Sequence, residues 1–411
     1  MAHRVQSDAD ERSNHLHAWR AQRRLTAFEH RAVISGIGQS EVGRRLGRSS
    51  LSLTLDAITA AIADAGLSVK DVGAVATYPG GGTALGAGFG GPSAAEVYDA
   101  LNLDAEVLMG NFEGPAQLGP VLNACLMVAS GLVRHVVVYR AVTEGSSRLT
   151  AKQALADGAG PLGPWNAPFG GGPAPLTMAL LTRRHFHQYG TTREQLAQIS
   201  LVARRHAALN PKAIYRQPLT MADYLVSRMI ADPLCLYDCD VHCDGATAFV
   251  VSHSGYGPDA PGPVVRIEAF GTAPADRSDH IQQTDLRPGH RAAEQMWRRT
   301  YLKPQDVDVA GLYDGFSILT LFWLEALGFC GVGESGPFVE GGERISIGGK
   351  LPINTDGGQL SAGRLHGFGF LHETCLQLRG QAGERQVQGA DVGLVAVGAI
   401  PYVGCILLTR T

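Results

Sequence analysis

Gly131-Leu132-Val133-Arg134-His135-Val136-Val137-Val138-Tyr139-Arg140-Ala141-Val142 has a counterpart near the other end of the chain, Gly389-Ala390-Asp391-Val392-Gly393-Leu394-Val395-Ala396-Val397-Gly398-Ala399-Ile400. Both are opened by glycine, run through apolar residues for the length of a strand, and follow a helical stretch, about 116–130 and 370–379. Apolar residues on consecutive rather than alternate positions mark a strand covered on both faces. Two such strands, each preceded by a helix, imply helix-covered sheets and a chain that repeats itself.

Outward from these strands the repetition continues. Ala32-Val33-Ile34-Ser35-Gly36-Ile37-Gly38 reads as a strand, followed by an amphipathic helix over about Leu51–Ala65 closed by Gly66. Val69-Lys70-Asp71-Val72-Gly73-Ala74-Val75 then turns into another strand. The second half restarts at Val264–Gly271, with a helix expected over about Ala292–Leu302 and a matching turn and strand at Pro304–Leu312. The division that follows is a polar N-terminal extension at 1–30, a first half at 31–255, a break near Gly255–Gly262, and a second half at 263–411. An insertion of loops and helices occupies about 145–230. Its Gly170-Gly171-Gly172-Pro173 is loop material, because no Gly-Lys-Ser follows to make a phosphate loop.

Composition narrows the function. A net charge of −3 on 411 residues gives no electrostatic footing for nucleic acid or a membrane surface. No apolar run approaches the roughly 18 residues that span a bilayer. The first thirty residues, with Arg12, Arg20, Arg23 and Arg24 among Asp8, Asp10 and Glu11, contain no apolar signal-peptide centre, so a cytoplasmic location is expected. The 52 glycines suit tight turns and backbone lining a ligand site. Cys235, Cys239 and Cys243 recur every fourth residue beside His242, but this is not the spacing of a zinc ribbon and no second ligand pair follows. No metal and no cofactor are expected in the chain.

Four groups of residues, taken together, resemble the thiolase superfamily, in particular the sterol-carrier-protein-type thiolases and lipid-transfer homologues. Tyr189-Gly190-Thr191-Thr192-Arg193-Glu194-Gln195-Leu196-Ala197 with Asn210-Pro211-Lys212-Ala213 looks like that family's loop domain. Asp238-Cys239 and Asp244-Gly245-Ala246-Thr247-Ala248 resemble the segment that closes its first half. Leu312-Tyr313-Asp314-Gly315-Phe316 stands in place of its His-Asp-Cys-Phe. Asn354-Thr355-Asp356-Gly357-Gly358 and Gly363-Arg364-Leu365-His366-Gly367 resemble its Asn-x-x-Gly-Gly and Gly-His-Pro. The resemblance covers about residues 30–411. It implies an α/β thiolase fold, with α/β/α/β/α layers in two halves related by a pseudo-twofold axis.

The departures from that pattern bear on chemistry. Thiolases carry a nucleophilic cysteine at the N-terminus of the helix before Gly131, where the helix dipole lowers its pKa. The sequence at that place is Gly110-Asn111-Phe112-Glu113-Gly114-Pro115, and Cys125 falls well inside the helix, a core position. The second thiolase cysteine is replaced by Tyr402-Val403-Gly404. Acyl transfer through a thiolate is therefore not expected. The resemblance assigns His366 to hydrogen-bond a thioester oxygen and stabilise an enolate. It puts Tyr313 and Tyr402 in acid/base positions, and Glu113, Gly114, Asp314 and Gly358 against the substrate. His372 is expected inside the following helix with a packing role.

An enolate without acyl transfer points to carbon–carbon cleavage, the retro-aldol reaction of a β-hydroxyacyl-CoA. The resemblance extends to the lipid-transfer-type aldolases that cut a steroid 17-hydroxy-20-carboxyl-CoA into propionyl-CoA and a ketone. These imply CoA only as part of the substrate, a homodimer, and a small zinc-ribbon/OB-fold partner completing a heterotetramer, with any zinc in that partner. Strand pairing across the dimer is expected from the apolar stretch between Gly131 and Arg148. Few large apolar residues lie between Gly158 and Pro175, which leaves the acyl pocket for another chain to finish. The alternative is a non-catalytic acyl-CoA or lipid-binding homologue that scaffolds a partner enzyme.

Overall fold

A computed structural model describes residues 27–80, 87–110, 116–147, 174–274, 286–399 and 402–411. The strands of its main sheet are β1 Ala32–Gln39, β2 Ala74–Thr77, β3 Val107–Gly110, β4 His135–Thr143, β7 Asp244–His253, β8 Val265–Pro274, β9 Val309–Leu312, β10 Val392–Gly398 and β11 Tyr402–Arg410. A small hairpin, β5 Met229–Ala231 and β6 Leu234–Cys235, stands apart from it. The helices used below are α1 Ser50–Asp64, α2 Ala94–Leu101, α3 Gly119–Ser130, α4 Ala174–Tyr189, α5 Arg193–Ala208, α6 Met221–Leu225, α7 Arg287–Trp297, α8 Ser317–Ala326, α9 Ser335–Val339 and α10 Phe368–Leu378.

The strand order β3-β2-β4-β7-β1-β8-β11-β10-β9 is a palindrome about the β1–β8 junction, apart from the extra strand β3. The pairings repeat with it. β2 runs parallel to β4 as β9 does to β10, and the β4–β7 and β7–β1 pairs are antiparallel like β10–β11 and β11–β8. This is the duplicated thiolase fold that the sequence predicts. The halves are not separate sheets, however. Val33 and Ile34 pair with Arg266 and Val265, and this short antiparallel contact fuses the two into one. Arg379 adds a buried tie at the seam, donating to Asp64 at 2.6 Å and to the Ser35 carbonyl at 3.0 Å.

Glycine lets the outer helices settle on the sheet at matching places. A Cβ on Gly36 would lie 2.1 Å from the Ala61 carbonyl of α1, and one on Gly271 would lie 1.9 Å from the Ala292 carbonyl of α7. The central helices α3 and α10 cover the opposite face, and their apolar residues form the largest core cluster with β4, β10 and α8. Two expectations need correction. The second-half helix spans Arg287–Trp297 rather than 292–302, because Pro288 starts it early and the Trp297 indole anchors its end by donating to the Leu327 carbonyl. The strand offered for dimer pairing, β4, lies inside the sheet with β2 on one side and β7 on the other, so it has no free edge. Among the described residues the open edge of that half is β3, where Leu108 is exposed.

The helices of the insertion lock onto the second half. In α5, His206 uses Nδ1 to donate to the Ile353 and Asn354 carbonyls at 3.1 and 3.2 Å, and Nε2 accepts from the Ile347 N–H at 3.1 Å. Burial pushes its pKa down to about 4, and does the same to His135 (about 4) and His372 (about 3, within α10 as expected). The unfolded chain takes up protons near pH 6.5 that the fold refuses, so the stability these groups contribute is full above pH 6.5 and is lost as pH falls toward 4. The melting temperature should drop steeply across that window, and His206→Gln should flatten the drop. A slope unchanged by that substitution would remove His206 from the account.

Candidate active site

Tyr313 leaves the end of β9 beneath the sheet, held by its own N–H donating to the Ala396 carbonyl at 3.0 Å. Burial raises its phenol well above the ordinary tyrosine range, with the Asp240 carboxylate adding to the effect, so the group is protonated at neutral pH. His366 faces it edge-on, ring centroids 6.2 Å apart. His366 adopts φ +55°, a left-handed conformation that non-glycine residues rarely take, in a turn flanked by Gly363 and Gly367. A Cβ on Gly367 would lie 3.2 Å from Gln117 of the first half, so glycine there permits the two halves to meet at the site.

The Gln117 amide lies 3.3 Å from His366 Nδ1. With Nε2 of the amide donating, Nδ1 is the acceptor and the imidazole proton sits on Nε2. Burial, then the charges of Arg140 and Arg364, hold the His366 pKa well below the usual histidine range. The imidazole is neutral and donates from Nε2, as an oxyanion donor must. Phe89 meets it edge-on at 4.6 Å and Tyr78 stacks on it at 5.9 Å.

Behind Tyr313 the loops are tied by polar contacts. Asn354, at φ +47°, accepts from the Leu312 N–H at 2.7 Å and donates to the Leu312 carbonyl and to Asp314 Oδ2 at 2.9 and 3.1 Å. Asp314 Oδ1 accepts from the Gln359 N–H at 2.9 Å, and burial pushes the carboxyl up to about 8. Gly358 packs on that carboxyl: a Cβ there would sit 2.0 Å from Asp314 Oδ2. Asp314 and Gly358, expected against the substrate, face each other, and these contacts shape the loop.

A charge cluster closes one side. Arg364 grips Glu144 with Nε (3.0 Å) and Nη2, and reaches Asp240 at 3.4 Å through Nη1. The Asp240 N–H donates to the Gly315 carbonyl, and the Arg364 N–H to the Val241 carbonyl. One arginine thus joins the end of β4, the Asp240 segment and both loops of the site. The turn before His366 also backs onto an open cavity of about 540 Å³ lined by Arg204, Tyr215 and Arg216. Arg204 donates to Ser361 Oγ at 3.0 Å there.

Of the expected catalytic residues, Tyr313 and His366 come together. Tyr402 begins β11, half-buried, near Tyr78. Glu113 and Gly114 lie outside the described residues, as do 148–173, which hold most of the Gly158–Pro175 stretch. Cys125 is fully buried in α3, and burial drives its thiol pKa far up. Among the described residues no group of three or more His, Cys, Asp or Glu could hold a metal, and no helix is long and apolar enough to cross a membrane. Tyr78, Phe89, Arg140, Gln117 and Gln359 are additions that the sequence reading missed. Gln359 is buried beside Tyr313, its carboxamide near enough to the phenol to act on it.

Fold and site define a thiolase-like protein whose site brings together a neutral histidine and a buried tyrosine, with Cys125 locked in the core. A family model described as thiolase C-terminal domain-like matches residues 274–402. The chain is 35% identical over 394 residues to the steroid side-chain-cleaving aldolase of Thermomonospora curvata, covering 92% of this chain and 97% of that one. It is 36% identical over 397 residues to the 17-hydroxy-3-oxo-4-pregnene-20-carboxyl-CoA lyase of Mycobacterium tuberculosis, covering 92% and 98%. The solved Ltp2-ChsH2(DUF35) aldolase superposes with a TM-score of 0.81 at 32% identity, covering 93% of this chain and 98% of that one. The chain belongs to the steroid side-chain-cleaving aldolase family of the thiolase superfamily.

Proposed function

We propose that the chain is a carbon–carbon lyase that cleaves a β-hydroxyacyl-CoA by a retro-aldol reaction, on a steroid side chain ending in a 17-hydroxy-20-carboxyl-CoA. The observation that carries this reading is the pairing of neutral His366 with protonated Tyr313 in a buried site, with Cys125 locked in the core. His366 Nε2–H donates to the thioester oxygen as the Cα–Cβ electron pair flows into the enolate. The hydroxyl proton leaves, the ketone forms, and a proton arrives on the α-carbon, so one group that takes and returns a proton closes the cycle. Tyr313, protonated at rest and packed against His366, gives its proton to the α-carbon, and the proton that leaves the substrate hydroxyl refills the phenol; its high pKa suits exchange with groups as weakly acidic as an alcohol or an α-carbon. The cavity at Arg204, Tyr215 and Arg216 would take the phosphates of CoA.

The likeness to the solved Ltp2-ChsH2(DUF35) aldolase supports an assembly with a DUF35 partner. In our reading that partner is a small zinc-ribbon/OB-fold protein, the zinc is its own, and a homodimer paired through β3 carries two copies. Purified chain, with and without the partner, should be incubated with a panel of β-hydroxyacyl-CoA esters and the products weighed by mass spectrometry. Propionyl-CoA and a 17-ketosteroid are the expected products, and Cys125→Ala, Cys330→Ala and Cys405→Ala should release them at near the parent rate. An acyl group trapped on any of these cysteines would reinstate thiolase chemistry. Binding of the esters with no cleavage in either preparation would favour the scaffolding role.

A further inference from the structure

Arg140 stands in β4 with its side chain on the face of Val136 and Val138, opposite to Tyr139, because successive strand residues alternate sides. It is 1% exposed. Nη1 donates to the carbonyls of Tyr78 and Ala141 at 3.2 and 3.1 Å. Nε and Nη2 are equally buried and have no hydrogen-bond partner among the described residues. The carboxylate of Glu144 is near enough to stabilise the guanidinium's charge, while its hydrogen bonds run to Arg364. The guanidinium lies over the rings of Phe89 and Tyr78, 4.7 and 5.4 Å from their centroids, and these are the rings that pack on His366.

A buried charged donor left without an acceptor costs more than a neutral one, and stacking on aromatic faces offsets only part of that cost. Such a cost, carried beside the oxyanion donor, fits an acceptor that arrives with the substrate. His366 cannot supply positive charge, because it is held neutral. Arg140 can.

We propose that Arg140 is the second donor of the oxyanion site, its free Nε and Nη2 edge taking the thioester oxygen together with the His366 Nε2–H as the enolate forms. This rests on the retro-aldol reading above. The ligand class is a CoA thioester whose carbonyl oxygen becomes an enolate oxygen. The Cα–Cβ pair moves into the thioester, the carbinol becomes a ketone, and its proton ends on the α-carbon, so the oxidation of one carbon is balanced by reduction of the other and no outside oxidant or reductant is needed. A fixed cation in a water-poor site stabilises that charge without reorganising.

The step is isolated by exchange of the α-protons of propionyl-CoA in D2O, catalysed by the full chain with its partner and followed by mass spectrometry. Arg140→Gln and Arg140→Lys are expected to slow exchange and cleavage by the same factor, about 100-fold or more, with KM changed far less than kcat. Methylguanidinium is expected to restore part of the rate to Arg140→Ala and to do nothing for the parent chain. Exchange at the parent rate in folded Arg140→Gln overturns the inference and leaves the retro-aldol reading intact. If that variant does not fold, the same rate in Arg140→Lys overturns it. A parent chain that neither exchanges nor cleaves overturns the retro-aldol reading itself.

Discussion

Tyr313→Phe should lower turnover by about 100- to 10,000-fold, the span typical of losing a positioned general acid/base, while the fold stays intact. The substitution deletes one hydroxyl and leaves the ring, so the contacts with His366 and Phe370 survive. Burial already keeps the phenol uncharged, so no ion pair is lost and the melting temperature should barely move. His366→Asn is the companion. Asparagine accepts a positive φ more readily than most residues, so it keeps the turn while removing the Nε2 donor, at an expected cost of about 100- to 1,000-fold. Because the imidazole is held neutral, the parent kcat/KM should show no acid limb from His366 near pH 6.5. Full activity in Tyr313→Phe would move the proton to another group, with Tyr78 the first to test.

Arg364→Leu should destabilise the protein by about 3–5 kcal/mol, the usual result of breaking a buried ion pair from one side. Glu144 and Asp240 have side chains only 5% and 9% exposed, and they would be left as buried carboxylates without their cation. The loss should appear as a lower denaturation midpoint at neutral pH. Glu144→Gln in the same chain should recover part of it, because it removes one of the stranded charges. Equal stability of the parent and Arg364→Leu would mean that water reaches the cluster and screens it.

Much of this was legible in the chain because duplication writes the same signal twice. The two apolar runs around Val136–Val138 and Leu394–Val397 are the equivalent strands β4 and β10, and the Asp71-Val72 and Asp306-Val307 turns lead into the equivalent strands β2 and β9. The same register contained a further residue. Aligning those turns places Tyr78 on Tyr313, each the residue after its strand, and both pack against His366. Arg140 was also in plain view, since a charge within a strand covered on both faces needs a reason. The fused sheet had no such signal: its junction is two residues long, and nothing in Val33-Ile34 or Val265-Arg266 says that they meet.

The two ends of the sheet differ in what they offer to other chains. At the β9 end, the segment around Ile353 lies alongside Ala310, whose N–H donates to the Pro352 carbonyl and whose carbonyl accepts from the Asn354 N–H. That rim is capped by the chain itself. At the β3 end the backbone edge has no such cover among the described residues, and it has no counterpart in the second half. A molecule with two sticky rims could add copies without limit and grow into filaments. With one rim capped, any association along the sheet direction through β3 would be limited to two copies.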